Sequence, residues 1–375
     1  MKLFHLSDLH LGKRLNEFSL LDDQAYILER IIDAIEAEKP DVVIIAGDVY
    51  DKSVPSAEAV ALFDAFLSRA CTICPHFFII SGNHDSPERI SFGASLMNGS
   101  GVHLSPVYNG SVTPVSLLDE YGEVDFFMLP FVKPVHVRAA FPDAEINSYN
   151  DALCTAVGAI ERRDGVRSVL ITHQFVTGAS RCDSEEISVG GTDNVDASCF
   201  YGFDYVALGH IHSAQDVGDR IRYCGTPLKY SFSEAKQEKS ITVVELTNEA
   251  KIRTIPLVPK RDLREIRGTY MELTNRENYS LTETNDYLHV TLTDEEDIPD
   301  AIRKLRVIYP NIMRLDYDNR RTAVNAQLDT DEADRMLSPF ELFAQLYEKQ
   351  NNSPLSVPQE EVIKRLLEDV SEGEK

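Results

Sequence analysis

Tryptophan is absent from the 375 residues, and cysteine is sparse, with six scattered at positions 71, 74, 154, 182, 199 and 224. So few thiols at such irregular spacing exclude a disulfide-stapled scaffold. Cys71-x-x-Cys74 lacks a second Cys pair or a fitting His pair, so buried structural thiols are expected ahead of a zinc or redox motif. A reducing, cytoplasmic setting fits that expectation. No apolar run approaches the ~20 residues that a membrane span needs, and no membrane association is expected. Nor is there a signal-peptide pattern: Met1-Lys2 leads straight into an apolar strand that Asp8 interrupts. No G-x-x-x-x-G-K-[ST] loop occurs, so any use of ATP must come from a partner.

Positive charge is also short, at 37 Lys plus Arg against 61 Asp plus Glu, for a formal net charge of −24. Free-standing nucleic-acid binders are usually basic, because phosphate contacts dominate their affinity. Acids gather in Asp294-Glu-Glu-Asp297, in Asp329-Thr-Asp-Glu-Ala-Asp334 and in the C-terminal tail, where a solvated face is the default reading. Strong, unaided binding of a polyanion is therefore not expected.

What the chain does hold is a series of short apolar runs, each ending in a residue able to bind a metal. Lys2–Ser7 leads to Asp8 and His10. Asp41–Ala46 leads through Gly47 to Asp48, and Phe77–Ile80 leads through Gly82 to Asn83, His84 and Asp85. Ser168–Thr172 leads to His173, and Tyr205–Leu208 leads through Gly209 to His210 and His212. In an open α/β sheet, sites are built at the carboxyl ends of the strands. Each signal alone is weak. A lone Asp-x-His is common, a single His after a strand is usually a satisfied buried residue, and Asn83-His84-Asp85 reads as a turn. Five coincident placements point to two divalent ions sharing one carboxylate, held by oxygen and imidazole donors. Residues i and i+2 of an extended chain share a side, so Asp8 with His10, and His210 with His212, are expected to face one way. Two ions about 3.5–4 Å apart can clamp both the attacking and the leaving oxygen of a phosphoryl centre. Hydrolysis without a covalent intermediate is expected, because Ser7 has no base partner apart from candidate ligands.

The order Asp-x-His, Gly-Asp, Gly-Asn-His-Asp, His, Gly-His-x-His resembles the calcineurin-like metallophosphoesterases. Longer strings resemble the SbcD-type nuclease subunits within that superfamily. These are His5-Leu-Ser-Asp-Leu-His-Leu-Gly12, Gly82-Asn-His-Asp-Ser-Pro-Glu-Arg89, Tyr205-Val-Ala-Leu-Gly-His-Ile-His212 and Gly225-Thr-Pro-Leu-Lys-Tyr-Ser-Phe-Ser-Glu234. The resemblance implies an α/β fold, a layered two-sheet core (α/β/β/α) with a small αβ capping domain and C-terminal helices. It implies one metal held by Asp8, His10, Asp48 and His212, and a second held by Asp48, Asn83, His173 and His210. It also implies manganese; donor chemistry alone allows Mn, Fe, Zn or Mg, with the many imidazoles arguing against Mg.

His84 matches the family's catalytic histidine, which contacts the scissile phosphate and protonates or stabilises the departing oxygen. An imidazole suits that task because its ordinary pKa lies near neutrality. Asp85 is a candidate catalytic partner that would orient an imidazole. Where archaeal and eukaryotic relatives have a His three residues beyond the bridging Asp, this chain has Asp51, which stays a candidate substrate contact only. Arg89 and Lys229 are candidates for DNA phosphate contacts, or else for salt bridges with the abundant acids. The resemblance further implies 3′-to-5′ cleavage of duplex ends, opening of hairpins and single strands, and work in DNA repair, recombination and replication. Its implied partners are an SbcC-type coiled-coil ABC ATPase, DNA, and a second copy of the chain joined through the nuclease core. On the residues alone, a small-molecule phosphatase, a cyclic phosphodiesterase or a non-catalytic DNA-end tether stays open.

Along the chain, Leu21, Leu28, Ile31 and Ile35 recur at helical spacing between Phe18 and Glu38, and Ser56–Ala70 repeats the pattern with Val60, Phe63 and Leu67. Short strands with Gly and Asn turns predominate over 102–129 and 215–257, and are expected to form the β-rich second half of the layers. The nuclease core is set at residues 1–262. Tyr287–Leu292 then alternates as a strand, Ile298–Tyr309 reads as a helix and Ile312–Tyr317 as another strand. They set a small αβ unit at 268–325, a DNA-capping domain in the family or, on the residues, an extension of the core. Residues 336–375 hold two capping-box starts, Ser338 with Glu341 and Ser356 with Gln359. Two amphipathic helices follow, one striped by Phe340, Phe343 and Tyr347, the other by Val362, Ile363, Leu366, Leu367 and Val370. Such a pair covers its own core or docks on a partner; the resemblance favours the ATPase.

Overall fold

A computed structural model describes residues 1–185, 194–247, 249–319, 339–351 and 354–373. The acidic stretch Asp329–Asp334 and the Ser338 cap lie outside them. The longest apolar runs become the middle of two mixed sheets. Edge to edge, the first comprises β16 (Ala250–Pro256), β15 (Ser240–Leu246), β1 (Lys2–Leu6), β4 (Val42–Ala46), β5 (His76–Ile80) and β6 (Val102–Leu104). The second comprises β13 (Gln215–Gly218), β14 (Ile221–Tyr223), β12 (Tyr205–Gly209), β9 (Arg167–His173), β8 (Gly122–Leu129) and β7 (Val115–Asp119). Two short ribbons stand outside the sheets, β2 (Arg14–Leu15) with β3 (Phe18–Ser19) and β10 (Phe175–Val176) with β11 (Asn194–Val195).

Parallel pairing joins β1, β4, β5 and β6, and likewise β8, β9, β12 and β14, with antiparallel strands at the edges. β4 reads Val-Val-Ile-Ile-Ala with every residue buried, because a parallel strand covered on both faces has no wet side. Register brings the strand ends level: Ala46 lies opposite Ile80, and Gly209 opposite His173.

Between the sheets, Leu3, Val42, Ile44 and Phe78 pack with Phe126, Val169, Ile171 and Ala207. The outer face of the second sheet buries Phe127, Leu170, Val206 and Leu208 with Leu153, Ala156 and Val157 of the helix Tyr149–Gly158. The alternate residues of the first sheet, Phe4, Val43, Ile45, Phe77 and Ile79, are equally buried. Helices α1 (Leu21–Glu38) and α2 (Ala57–Ala70) supply apolar stripes for that face, Ile27, Leu28, Ile31 and Ile35 on one, Phe63, Phe66 and Leu67 on the other. Helix, sheet, sheet and helix make the expected α/β/β/α layering.

Some expectations need revision. Val60 is exposed, and the buried stripe of α2 runs through Ala59, Phe63, Phe66, Leu67 and Ala70 instead. Residues 102–129 and 215–257 do not form one half of the layers. β6, β15 and β16 join the first sheet while β7, β8, β13 and β14 join the second, so both stretches build both sheets. The thiols are not all free either: Cys154 and Cys199 form a disulfide, while Cys71, Cys74, Cys182 and Cys224 remain thiols.

Residues Met1–Leu263 make one compact unit and Arg264–Lys375 a second. In the second, β17 (Leu263–Gly268), β18 (Tyr287–Leu292) and β19 (Ile312–Tyr317) form a sheet in that order. Leu288, Val290 and Leu292 bury against Ala301, Leu305 and Tyr309. The helix there spans only Ala301–Leu305, shorter than the Ile298–Tyr309 expected, with turns continuing to Ile308. Helices Pro339–Asn351 and Val357–Gly373 follow, and Ser356 shows the reciprocal half of its capping box, with Gln359 Oε1 accepting from the Ser356 amide at 2.9 Å. Phe343, Leu346, Val362 and Leu366 stand exposed on this pair. No described helix is long and apolar enough to cross a membrane.

Candidate metal centre

Level strand ends deliver the candidate ligands to one place. Asp8 and His10 follow β1, Asp48 follows β4, Asn83 and His84 follow β5, His173 closes β9, and His210 and His212 follow β12. Asp8, His10, Asp48, His173, His210 and His212 are all buried. Four of them have left-handed backbones, with φ of 52° at Asp8, 44° at His10, 48° at Asp48 and 99° at His210. That region disfavours L residues, with Asn, Asp and His its commonest occupants, and such strain gathers at functional sites. The extended i, i+2 argument therefore does not hold. Asp8 and His10 meet through a turn, and His210 and His212 face different partners. Glycine is needed where the loops close in: a Cβ on Gly82 would strike the Asp48 carboxylate, and one on Gly209 would strike the Ala46 carbonyl.

The side chains form two groups joined by Asp48. In the first, His10 Nε2 lies 3.1 Å from His212 Nε2, 3.7 Å from Asp48 Oδ2 and 4.0 Å from Asp8 Oδ1. In the second, Asn83 Oδ1 lies 3.0 Å from His173 Nε2 and 2.9 Å from His210 Nδ1. His173 Nε2 is also 3.4 Å from Asp48 Oδ2. His173 gives its Nδ1 proton to the Ala46 carbonyl at 2.8 Å, which turns Nε2 toward the group as the nitrogen that would bind a cation. Two imidazole nitrogens facing each other beside buried carboxylates are a set of lone pairs that a cation completes. Oxygen and nitrogen donors in this number fit divalent metal ions.

Electrostatics agree with that reading. Burial opposes a charge on His173, but Asp48 and Asp8 outweigh it and hold its pKa up at about 9. Burial opposes the charge on Asp48 too, yet His173 and His10 keep its carboxyl well below the usual range. His10 and His210 are pushed down mainly by burial, which favours the neutral, metal-binding form.

His84 sits at the rim of this cluster. Its backbone amide donates to Asp48 Oδ1 at 2.9 Å, its Nδ1 meets the Asp51 carbonyl oxygen at 3.0 Å, and its Nε2 lies 3.9 Å from Asp48 Oδ2. Asp51 thus acts through its backbone on His84, while its carboxylate binds Lys13 at 2.8 Å. Asp85 orients no imidazole among the described contacts. Its carboxylate accepts the amides of Gly82 at 3.0 Å, Val49 at 3.1 Å and Tyr50 at 3.0 Å, binding the Asp48 loop to the Asn83 loop. In this structure Asp85 thus meets main-chain amides in place of the imidazole partner expected. Lys229 makes the salt bridge that was the alternative to a phosphate contact: its Nζ binds Asp262 at 2.9 Å and the Ala235 carbonyl at 2.7 Å. Arg89 is exposed on the helix Pro87–Ile90 and has no ion pair among the described residues.

Several supporting residues carried no signal of their own in the sequence. The Gln24 amide donates to the His10 carbonyl at 2.7 Å, and Tyr230 Oη donates to the Leu9 carbonyl at 2.5 Å. Glu185 accepts the His212 backbone amide at 2.7 Å. Ser184, Glu234 and Lys239 gather behind the His212 ring. Only Tyr230 and Glu234 fall inside a family-like string, the one from Gly225 to Glu234.

Residues 1–214 match the family model described as calcineurin-like phosphoesterase, and residues 259–351 match the one described as type 5 capsule protein repressor C-terminal domain. The SbcD subunit of the nuclease SbcCD from Staphylococcus epidermidis is 33% identical over 379 residues, spanning 98% of each chain. Its namesake from Staphylococcus saprophyticus is 36% identical over 324 residues, spanning 84% of each. A solved dimetal phosphatase from Danio rerio aligns over 69% of this chain and 96% of its own, at 11% identity and a TM-score of 0.42.

Proposed function

This chain belongs to the calcineurin-like phosphoesterases and, within them, to the SbcD family of SbcCD nuclease subunits, and from that premise we propose a manganese-dependent DNA nuclease that works with an SbcC-type ATPase. It is a phosphodiester hydrolase. The observation that carries the reading is the convergence of Asp8, His10, Asp48, Asn83, His173, His210 and His212 from separate strand ends onto one buried cluster.

Asp8, His10, Asp48 and His212 would hold one ion, and Asp48, Asn83, His173 and His210 the other. Ions bound there would lower the pKa of a coordinated water and neutralise charge on the phosphoryl oxygens. The chain supplies the rest. Asp48 links the two groups, and its Oδ1 fixes the His84 backbone. His84 commits Nδ1 to the Asp51 carbonyl, so Nε2 is the atom that would carry a proton to the departing oxygen. The left-handed turns hold these atoms in place before substrate arrives, which limits reorganisation during the reaction.

A net charge of −24 suits a subunit that receives DNA from a partner. We assign the second unit to covering DNA and the exposed apolar residues of the C-terminal helices to docking on the ATPase. Self-association would use Phe92 and Leu96, each 84% exposed just beyond His84. The substrates would be duplex ends, cut 3′ to 5′, and hairpins and single strands, cut internally, in the cytoplasm.

The test is manganese-dependent cleavage of a hairpin-ended duplex and a single-stranded circle by the purified chain, with and without the ATPase and ATP. Wild type is expected to cut both, and His84→Ala to bind metal normally while losing at least about 100-fold in rate. Turnover of a small phosphate ester with no cleavage of DNA under any condition would make the chain a phosphatase.

A further inference from the structure

His212 has two ring nitrogens with different neighbours. Nε2 faces His10 across 3.1 Å, inside the candidate metal cluster. Nδ1 points the other way, onto Ser184 Oγ at 2.7 Å. Ser184 Oγ in turn donates to Glu234 Oε1 at 2.6 Å. The direction of this chain is set by proton count. A hydroxyl has one proton, and an ionised carboxylate can only accept. Ser184 must spend its proton on Glu234, so toward His212 it can only accept, and Nδ1 must carry the ring proton. Nε2 is then left with its lone pair facing Asp8 and His10.

The far end of the chain is anchored. Glu234 is fully buried and its second oxygen binds Lys239 Nζ at 2.6 Å. Lys239 also donates to the His212 carbonyl at 2.9 Å, so one ammonium holds both the carboxylate and the backbone of the ligand it serves. Glu185 holds the His212 amide independently at 2.7 Å. These residues come from separate parts of the chain: Ser184 lies 28 residues before His212, and Glu234 lies 50 after Ser184. His173 has its Nδ1 proton held in the same place by one main-chain carbonyl. At His212 the state depends on a side chain borne by a loop.

We propose that Ser184 is the positioning residue of the metal centre, relaying the Glu234 carboxylate to His212 so that Nε2 is presented as a ligand. The proposal rests on the metal-centre reading above, and deepens it by naming a removable support for one ligand.

Two measurements on the full-length protein test it. Imidazole nitrogen–proton correlation spectra of the metal-free chain report the tautomer of His212, and calorimetric titration with Mn2+ reports the affinity of each site. Wild type is expected to show a proton on His212 Nδ1. Ser184→Ala should lose that preference and weaken one of two Mn2+ sites by about 10–100-fold, the range for such supporting contacts. Ser184→Thr, which keeps the hydroxyl, should retain both properties. Thermal melting of the metal-free variants should match wild type, because Glu185 still holds the backbone. If Ser184→Ala keeps either the tautomer or the Mn2+ affinity of wild type, the proposal is wrong. A wild type with the Nδ1 proton in place but no Mn2+ uptake would overturn the metal reading while leaving the relay standing.

Discussion

At the scale of single residues, Asp85 separates a structural from a chemical role. Burial and the charge of Asp48 push its pKa up to about 7, against the pull of three backbone amides. Removing the carboxylate leaves three buried N–H groups without it. Asp85→Ala is therefore expected to lower unfolding free energy by roughly 3 kcal/mol, read from urea denaturation of the metal-free protein. Wild-type stability with lost cleavage would instead return Asp85 to the chemistry. His5 offers a test by pH. It is buried between the sheets with Nδ1 on Tyr205 Oη at 2.8 Å, and burial, helped by Arg222, pushes its pKa down to about 3. The unfolded chain binds this proton near pH 6.5 and the folded chain does not, so stability is present above that pH and falls as pH drops from 6.5 toward 3. Between pH 7 and pH 5, wild type should lose about 2 kcal/mol relative to His5→Gln. Parallel stability curves for the two proteins would show that His5 titrates normally.

At the scale of elements, the centre depends on how closely loops approach one another at the strand ends. Gly82 lies against the Asp48 backbone and carboxylate, and an added Cβ meets backbone that cannot move aside. Gly82→Ala should fold, because the sheets beneath are intact, yet bind Mn2+ at least about 10-fold more weakly by titration. Unchanged affinity would mean that the β4 and β5 loops have more freedom than their contacts imply. Apolar runs and their terminal ligands were legible here, since unbroken burial leaves a simple pattern in β4 and β12. The turns after them were not. Positive φ at Asp8, His10, Asp48 and His210 arises from loop–loop hydrogen bonds such as Asp8 N to the Gly47 carbonyl at 3.0 Å, which involve residues far apart in the chain.

At the scale of the whole molecule, net charge and exposed apolar surface are what the proposed partnerships rest on. Phe92 and Leu96 protrude from the same compact unit as the metal cluster, although neither takes part in it. Large apolar side chains in that position mark a contact surface when they adjoin one another. Phe92→Asp combined with Leu96→Asp should convert a dimer to a monomer in analytical ultracentrifugation, with Mn2+-dependent hydrolysis of a small phosphodiester unchanged. A wild type that sediments as a monomer at tens of micromolar would remove the dimer from the functional reading.

The sequence by itself determined the α/β class, the ligand-type residues at five strand ends and the break into a second unit, because each follows from local pattern: apolar periodicity, ligand type and strand-end position. Tertiary structure alone decided which strands share a sheet, that Asp85 clamps amides, that Lys229 is spent on Asp262, and that Cys154 meets Cys199. It also decided that Ser184 and Glu234 stand behind His212. The physical reason is the same in each case. A hydrogen bond or ion pair is specified by distance and direction in space, and chain folding brings together residues whose separation in sequence carries no trace of the contact.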